Sequence, residues 1–348
     1  MQALVFHEPG RISVESIEDP TPHAGEVVLR VGAVAVCASD LRVFRGEKHA
    51  APGVVPGHEF AGTVVDRAAD VETIELGQRV TVYPILACGG CDFCRRGLRN
   101  RCVARRTLGY DLNGGIAEYV RLPAAIVAQG HTVQLPDNLS MLRAALTEPT
   151  ACVLNSLESC RFRAGASVAV LGAGPMGLLH VVLARALGAG PIIVSEPSEV
   201  RRAMATQLGA TVVSDGDAAQ TERAVKDATG GQGADIVIVS VGLDGLTETA
   251  LRLAAKQASI NLFAGFPRES SAVLDVNQLH YNEIVLTGTQ NATPDQFRRT
   301  VALLPSLGTI DRIATHRFDM AHAAESYSVR ADPAALKTLV LPNGDGGA

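Results

Sequence analysis

Residues 166–190 read "ASVAVLGAGPMGLLHVVLARALGAG", a short apolar run, a glycine-rich turn and a longer apolar run. The short run predicts a buried β-strand, and the longer one predicts a helix that packs on it. Between them, three glycines form the pattern G-x-G-x-x-G. The first permits the turn, the second lets a pyrophosphate approach the backbone, and the third lets the helix pack closely on the strand. The stretch therefore predicts a dinucleotide-binding turn whose cofactor contacts come from Gly172, Gly174, Pro175, Met176 and Gly177.

The run "PIIVS" predicts a second strand, and Glu196 follows it, 24 residues after Gly172. A carboxylate at that position accepts hydrogen bonds from both ribose hydroxyls of NAD and repels the 2′-phosphate of NADP. Arg201 and Arg202 favour the opposite choice, but they lie farther along the next predicted helix. Glu196 could instead only stabilise the start of that helix. The charge pattern favours NAD, with Arg201 as a further candidate contact.

Strand and helix patterns alternate to about residue 290 and predict six strands with intervening helices. We therefore expect an α/β domain with a doubly wound parallel sheet over residues 151–290, including a helix near residues 246–255. Residues 1–150 contain short alternating runs interrupted by Gly and Pro, which predicts a β-rich domain. Near the C-terminal end, "HRFDMAHAAESY" predicts a helix and "LKTLVLP" a closing strand. We expect residues 291–348 to rejoin the β-rich domain.

Residues 88–102 read "CGGCDFCRRGLRNRC" and hold four of the seven cysteines. Their spacing, C-x2-C-x2-C-x7-C, lets four thiolates surround one tetrahedral zinc ion, and the intervening glycines let the backbone turn tightly. Four sulfur ligands leave no open position for a substrate, so a zinc ion here would be structural. A redox dithiol needs only one C-x-x-C pair, which leaves two cysteines unexplained. The expected ligands are Cys88, Cys91, Cys94 and Cys102.

A second candidate metal site combines Cys37 in "VCASDLR" with His58 and Glu59 in "GHEFAG". A thiolate, an imidazole and a carboxylate suit zinc with a replaceable ligand. Glu148, in "LTEPTACVL", is a further oxygen ligand that the sequence offers. Each residue alone has an ordinary structural explanation, because a buried cysteine is usually a small core residue and a lone His-Glu pair usually lies on the surface. Only their joint occurrence favours a metal site.

The composition limits the class of protein. Of the 348 residues, 47% are hydrophobic and 19% are charged, which is enough for a large core and favours two domains. The net charge of −5 argues against a general nucleic-acid binder, although six arginines lie between residues 95 and 106. The N-terminal residues lack the pattern of a secretory signal, and the sequence lacks an apolar run long enough for a membrane span. We therefore expect a cytoplasmic protein without a membrane or nucleic-acid partner.

The order and spacing of "VCASD", "GHEFAG", the four-cysteine segment, "GYDLNGGIAEYV", "LTEP" and "VLGAGPMGLL" resemble a zinc-dependent medium-chain alcohol dehydrogenase nearly end to end. Within this superfamily the likeness is to the polyol, sorbitol, threonine and butanediol dehydrogenase branch. It implies a GroES-like catalytic domain at residues 1–150 and 291–348 and a Rossmann NAD-binding domain at 151–290. It also implies one catalytic and one structural zinc, and a homodimer or homotetramer that pairs its "EIVLTG" strands.

The resemblance further implies a role for each matching residue. Cys37 and His58 would bind the catalytic zinc, and Glu59 and Glu148 would share the remaining coordination, with the resting ligand left open. Ser39 would belong to a proton relay, and Asp40 would orient the site. Further cofactor contacts would come from Val241, Gly265 and Phe266, the last two near the nicotinamide amide. The implied reaction oxidises a secondary alcohol to a ketone and transfers hydride to NAD.

Three positions depart from the family pattern. Ala38 replaces the usual glycine after the first ligand, and Arg42 stands where many members place a histidine that passes the proton outwards. Arginine cannot act as a base at neutral pH, so Arg42 is a candidate to bind a polar or anionic substrate group. Asn291 lies where sorbitol-type enzymes have arginine, and is the other substrate candidate. The loop at residues 42–49 and Tyr110 are also expected to face the substrate.

These side chains favour a polyol, sugar alcohol or aminocyclitol, with a threonine- or butanediol-type substrate as the alternative. A zinc-free NADPH reductase would not need Cys37, His58 and Glu59 together. A non-catalytic zinc- and nucleotide-binding protein would be expected to have lost catalytic ligands, and none is missing.

Overall fold

The computed structural model of the chain describes residues 1–329, 332 and 334–344. The chain folds into two compact units, one of Met1–Ala151 with Ala292–Ala348 and one of Cys152–Asn291. The assignment of catalysis to the first unit and nucleotide binding to the second remains a prediction. No helix in the described part of the chain is both long enough and apolar enough to cross a membrane.

The strands are numbered in chain order over the described residues. They are β1 Gln2–Glu8, β2 Arg11–Ser16, β3 Val27–Val36, β4 Glu59–Arg67, β5 Arg79–Val82, β6 Ile85–Leu86, β7 Arg106–Thr107, β8 Tyr119–Leu122, β9 Thr132–Gln134, β10 Val168–Leu171, β11 Ile192–Ser195, β12 Val212–Ser214, β13 Ala234–Val239, β14 Ala254–Leu262, β15 Val285–Gly288, β16 Ala314–Asp319 and β17 Lys337–Leu341.

The helices are numbered in the same way. They are α1 Ala38–Phe44, α2 Asp92–Arg95, α3 Ala124–Ala128, α4 Met141–Ala144, α5 Thr147–Ser159, α6 Pro175–Ala186, α7 Glu199–Leu208, α8 Ala218–Ala228, α9 Leu246–Leu253, α10 Val276–Tyr281, α11 Pro294–Leu303 and α12 Glu325–Ser328. Short 3-10 turns cover Arg99–Arg101, Leu304–Ser306 and Ile310–Ile313.

The first unit contains a mostly antiparallel sheet in the order β16-β17-β3-β4-β5-β9, with β8 also paired to β3. Strand β3 is the centre of this unit, because every residue in it except Arg30 is buried. Its apolar side chains pack with those of β4, β5 and β8 in one core. This arrangement confirms the predicted β-rich, GroES-like architecture.

Two cross-strand residue pairs of this sheet determine where Cys37 and Glu59 lie. Ala35, near the end of β3, pairs with Glu59 at the start of β4. On the other side, Val36 pairs with Thr338, the second residue of β17. The end of β3 and the starts of β4 and β17 therefore meet at one edge, and Cys37 follows directly from that edge.

The second unit contains the predicted parallel sheet, with six strands in the order β12-β11-β10-β13-β14-β15. Every pairing in it is parallel. The order reverses beside β10, since the chain proceeds from β10 to β12 on one side and from β13 to β15 on the other. This is the switch point at which doubly wound sheets bind ligands. The Rossmann-type fold class is thus confirmed.

One predicted helix is present but shorter than expected, and one local prediction was wrong. The helix expected near residues 246–255 ends at Leu253, and β14 already begins at Ala254 because its residues pair with β13. The segment "HRFDMAHAAESY" is not one helix. Its first four residues belong to β16, which pairs in parallel with β17, and only Glu325–Ser328 forms a helical turn. In both cases sheet pairing overrode a locally helical pattern.

Candidate active site

Cys37 lies between β3 and α1, where the backbone is still extended (φ −90°, ψ 155°). Its N–H donates to Oδ2 of Asp40 at 2.8 Å, and the N–H of Asp40 donates back to the carbonyl of Cys37 at 3.1 Å. Asp40 is 1% exposed. This local exchange of hydrogen bonds fixes the direction in which the Cys37 side chain leaves the sheet edge.

His58 enters the same edge from the turn before β4. Gly57 precedes it with φ +96°, a conformation that favours glycine, and a Cβ there would lie 2.7 Å from the Ile116 side chain. Nδ1 of His58 lies 3.2 Å from Oδ1 of Asp40, so Nε2 is the nitrogen available to a metal. Burial acts to lower the pKa of His58, but the negative charge of the neighbouring Asp40 raises that pKa well above its ordinary value. The site thus favours positive charge at this ring.

The ligand atoms of Cys37, His58 and Glu59 all lie within 4.8 Å of one another. Oε1 of Glu59 is buried and has no hydrogen-bond partner among the described residues. A buried carboxylate oxygen without a donor is costly unless a cation or another donor meets it. Because sulfur, nitrogen and oxygen ligands together suit Zn²⁺, these three residues fit a zinc ion.

The other oxygen of Glu59 accepts a hydrogen bond from the ammonium of Lys337, the first residue of β17. The same ammonium donates to the carbonyl of Val36 at 3.3 Å. Both charged side chains are buried. Lys337 was not among the predicted site residues. Its only signal in the sequence is a lysine at the start of an apolar closing strand, which would be unusual in a core without a carboxylate partner.

Glu148 lies in the first turn of α5 and is half-buried. It is not a member of the group formed by Cys37, His58 and Glu59. Its charge is nevertheless felt at Tyr110 and Lys48, since it acts to raise the pKa of both. The structure therefore places Glu148 in the neighbourhood of the three donors, and its exchange with Glu59 remains a prediction.

Ser39 connects the donor group to an aromatic neighbour. Its hydroxyl donates to Sγ of Cys37 at 3.1 Å and forms a 2.6 Å hydrogen bond with the hydroxyl of Tyr110. The ring of Tyr110 also packs on His58, with centroids 5.1 Å apart. Burial, followed by the charge of Asp40, raises the pKa of Tyr110 well above its ordinary value, so this phenol stays protonated. The two hydroxyls form a short hydrogen-bonded path beside Cys37.

The two predicted substrate residues occupy different surroundings. Arg42 is exposed on α1, and its Nε lies 3.4 Å from Oε2 of Glu47. Asn291 belongs to the second unit and has a left-handed backbone (φ +57°). Its carbonyl accepts a hydrogen bond from the side chain of Asn155 at 2.7 Å. A substrate role for either residue remains a prediction.

The four-cysteine segment forms a separate cluster. The sulfur atoms of Cys88, Cys91, Cys94 and Cys102 lie within 4.8 Å of one another, and none of the seven cysteines, all of which are described, is in a disulfide. Hydrogen bonds from the backbone of Val103 and Cys94 lower the pKa of Cys91 to about 6. Burial raises the pKa of Cys94 to about 12, so that thiol would need a bound cation to ionise. Four converging sulfurs fit a tetrahedral zinc.

The glycine turn of the second unit has the features that the pattern requires. Gly172 follows β10 with φ +98°. A Cβ on Gly174 would meet no atom within 4 Å, which leaves open space where a pyrophosphate can approach. A Cβ on Gly177 would lie 2.0 Å from the carbonyl oxygen of Gly172, so only glycine allows α6 to pack this closely. Pro175 and Met176 form the first turn of α6.

Glu196 lies at the end of β11 and is buried. One carboxylate oxygen accepts from the N–H of Ala173 at 2.7 Å, and the other accepts from the N–H of Ser198 at 3.0 Å. Glu196 therefore braces the glycine turn itself, a role that the spacing argument did not identify. Arg201 is in the first turn of α7, whose N-cap is Ser198.

The remaining cofactor candidates lie beside the same turn. A Cβ on Gly172 would be 3.0 Å from Cγ1 of Val241. A Cβ on Gly242 would be 2.3 Å from the carbonyl oxygen of Gly265 and 3.0 Å from Cα of Phe266. The structure thus brings Val241, Gly265 and Phe266 together after the carboxyl ends of β13 and β14. Their contact with a cofactor remains a prediction.

Two domain families match this chain. Residues 23–137 match the alcohol dehydrogenase GroES-like domain, and residues 175–306 match the zinc-binding dehydrogenase domain. L-threonine 3-dehydrogenase of Pyrococcus furiosus is 33% identical over 309 residues, covering 87% of this chain and 86% of that protein. Sorbitol dehydrogenase of Halalkalibacterium halodurans is 29% identical, covering 98% and 99%.

A solved structure is also similar to this chain. A zinc-binding dehydrogenase of Sinorhizobium meliloti, bound to NADP, is 30% identical, has a TM-score of 0.91, and the match covers 98% of this chain and 99% of that one. The fold, the group of Cys37, His58 and Glu59, and the glycine turn together define a zinc-binding dehydrogenase with a nucleotide domain. The chain belongs to the zinc-dependent medium-chain alcohol dehydrogenase family. The predicted resemblance is thereby confirmed.

Proposed function

We propose that this chain oxidises a secondary alcohol to a ketone and transfers hydride to NAD. The observation that carries the proposal is the convergence of Cys37, His58 and Glu59 with the hydroxyl of Ser39 bonded to Cys37. Zinc bound to these donors would polarise the substrate oxygen as a Lewis acid, and NAD would accept the hydride. The protein's own residues would supply position, charge and a route for the proton.

We assign the metal-holding role to Cys37 and His58, with Glu59 and Glu148 as oxygen ligands that exchange. Asp40 keeps the imidazole in place through its contact with Nδ1. The second zinc would be held by the four cysteines of residues 88–102 and would stabilise that segment without taking part in chemistry.

The proton of the substrate hydroxyl would pass to Oγ of Ser39. This hydroxyl can accept one proton while it gives its own to the hydroxyl of Tyr110, 2.6 Å away, and Tyr110 would at the same time release its phenolic proton to solvent and so stay protonated. Arg42 does not replace the relay histidine of other family members, because a guanidinium stays protonated. The relay is therefore expected to run through hydroxyl groups and solvent.

Glu196 supports NAD as the cofactor. Its carboxylate accepts hydrogen bonds from two backbone N–H groups after β11, and a carboxylate at this position of the fold would repel the 2′-phosphate of NADP. The Sinorhizobium structure contains NADP, whereas a 28% identical dehydrogenase structure from E. coli contains NADH, so the cofactor of this chain has to be tested directly. We expect kcat/KM with NAD to exceed that with NADP, and Glu196→Ala to narrow the difference.

The proposed substrates are polyols, sugar alcohols or aminocyclitols, with threonine- or butanediol-type alcohols as the alternative. We also propose a homodimer or homotetramer in the cytoplasm. Strand β15 is the last strand of its sheet in the described residues, so one edge can pair with a second copy. Light scattering after size-exclusion chromatography tests the oligomer.

One experiment tests the function directly. Zinc content per chain and NAD reduction over a panel of secondary alcohols are measured for the wild type, Cys37→Ala and the control Cys160→Ala. Cys160 is buried outside both clusters. We expect two zinc ions in the wild type and the control, one in Cys37→Ala, and activity lost only in Cys37→Ala. One zinc in every protein with unchanged activity would overturn the assignment.

A further inference from the structure

Lys48 lies in the loop after α1, near the candidate metal site. Its ammonium stands 3.5 Å from the centroid of the Tyr110 ring. That ring packs on His58 and carries the hydroxyl that bonds to Ser39. A cation over an aromatic face gains a modest electrostatic attraction and keeps its hydrogen-bond donors free for another partner. Tyr110 therefore contacts both the ammonium of Lys48 and the hydroxyl of Ser39.

Lys48 differs from its neighbours in its ionic contacts. Lys48 is exposed, as are its neighbours Arg42 and Arg45. In the described part of the chain the ammonium of Lys48 forms no ion pair, whereas Arg42 and Arg45 both share Glu47. The pKa of Lys48 lies below its ordinary value, chiefly because hydration is lost, and the positive charge of Arg105 lowers it further. Asp40 and Cys37 act in the opposite direction. The charge of Arg105 is thus felt at Lys48, and Arg105 donates to the carbonyl of Asn100 at 2.8 Å.

We infer that Lys48 recognises an anionic group, a carboxylate or a phosphate, on the alcohol that this enzyme oxidises. The inference rests on the proposed function and narrows its substrate class. The ammonium over the Tyr110 ring has no ion-pair partner among the described residues, so its N–H donors can bind an anion, and Arg105 would add long-range attraction. A neutral polyol gains less at this position, and the ammonium of an aminocyclitol is repelled.

This role differs from the one that sequence reasoning gave to Arg42. Arg42 was the candidate for a polar or anionic group, yet its guanidinium already meets Glu47. Lys48 lies six residues farther along the same segment, and its ammonium is directed onto Tyr110. The geometry therefore points to Lys48 as the specificity-determining cation of this loop.

The test compares the wild type, Lys48→Gln and the control Arg45→Gln, which removes an equal charge from the same loop. Each is assayed with NAD and three groups of secondary alcohols: anionic (polyol phosphates and hydroxy carboxylic acids), neutral polyols, and cationic aminocyclitols. We expect the wild type to have its highest kcat/KM with an anionic alcohol. The phosphates and the carboxylic acids are assayed separately, so that the preferred anion is identified. Lys48→Gln should lower kcat/KM for anionic alcohols by roughly 10- to 100-fold and for neutral ones by less than about 3-fold.

Calorimetric titration of sorbitol 6-phosphate and of 3-hydroxybutyrate in the presence of NADH gives a readout independent of turnover. Weaker binding of at least one anion by Lys48→Gln, but not by Arg45→Gln, supports the inference. Equal loss for neutral and anionic alcohols, or unchanged binding of both anions, overturns it while leaving the dehydrogenase function intact. If none of the alcohols is oxidised, the proposed function fails, and the calorimetric comparison still decides the role of Lys48.

Discussion

The ammonium of Lys337 donates to the carboxylate of Glu59 although the two residues are 278 positions apart and only 2% and 1% exposed. The contact joins the start of β17 to the start of β4, across the end of β3. A buried pair of opposite charges adds little net stability compared with apolar residues, but the loss of one partner leaves an uncompensated charge in the core. The pair therefore ties the C-terminal strand to the candidate metal site.

Lys337→Met should lower the free energy of unfolding by about 3–5 kcal/mol, because Glu59 would remain buried without its cation. The double variant Lys337→Met/Glu59→Gln should recover a large part of this loss, since the isolated charge is then removed. Urea denaturation of metal-free protein measures both. The control Lys226→Met breaks an exposed ion pair with Glu222 and should cost less than about 1 kcal/mol. A loss no larger than that of the control would contradict the argument.

Ser39→Ala should reduce kcat by about 100-fold or more, because the hydroxyl nearest to Cys37 would be lost as proton acceptor. KM and zinc content should change little. Ser39→Thr keeps the hydroxyl and should therefore retain much of the wild-type rate. Tyr110→Phe removes a hydroxyl but keeps the ring, and it should lower kcat less than Ser39→Ala does. Steady-state kinetics from pH 6 to 10, with metal analysis, distinguishes these outcomes. A wild-type kcat in Ser39→Ala would remove Ser39 from the relay.

Cys94→Ala should lower the thermal stability of the protein much more than its kcat, since Cys94 is buried among the sulfurs of the four-cysteine cluster. We expect this variant to lose one zinc ion and to unfold at a lower temperature. Its kcat should stay within about 3-fold of the wild type while it remains folded, because a fully sulfur-ligated zinc has no open position. Thermal unfolding, metal analysis and initial rates at low temperature measure this. Loss of kcat in fully folded protein would place the cluster in the chemistry.

Much of the fold could be predicted because its signals are local. Apolar runs separated by glycine turns define the parallel sheet, and the spacing of Gly172, Gly174 and Gly177 identifies the nucleotide turn. The errors fell at β14 and β16, where pairing with a distant strand decides the structure. Residues at 254–255 and 316–319 suit a helix when read alone.

The candidate site could be predicted only in part. Cysteine and histidine stand out by chemistry, so Cys37 and His58 could be named from their residue types. Lys337 and Lys48 could not, because a lysine usually lies on the surface, and only tertiary structure shows one paired inside the core and the other above Tyr110. For Glu196 the sequence offered a cofactor contact or a helix-start role, but its hydrogen bond to the N–H of Ala173 in the glycine turn could not be predicted from spacing.

Two buried histidines make stability depend on pH. Burial lowers the pKa of His131 to about 4, with a further decrease from the charge of Arg99, and burial alone lowers that of His180 to about 4. Both are 0% exposed. His180 has both ring nitrogens engaged, with the carbonyl of Met176 at 2.8 Å and the hydroxyl of Ser156 at 3.0 Å. Each histidine is therefore neutral in the folded protein at pH 7.

In the unfolded chain these histidines have the ordinary pKa of 6.5, whereas in the folded protein their pKa is about 4. Between these limits the unfolded state binds more protons, so the free energy of unfolding should fall as the pH falls. Each histidine contributes a slope of up to about 1.4 kcal/mol per pH unit. His131→Gln should flatten the pH dependence measured by urea denaturation from pH 7 to 5, whereas the exposed His23→Gln should leave it unchanged. Identical slopes in the two variants would mean that His131 accepts its proton in the folded protein.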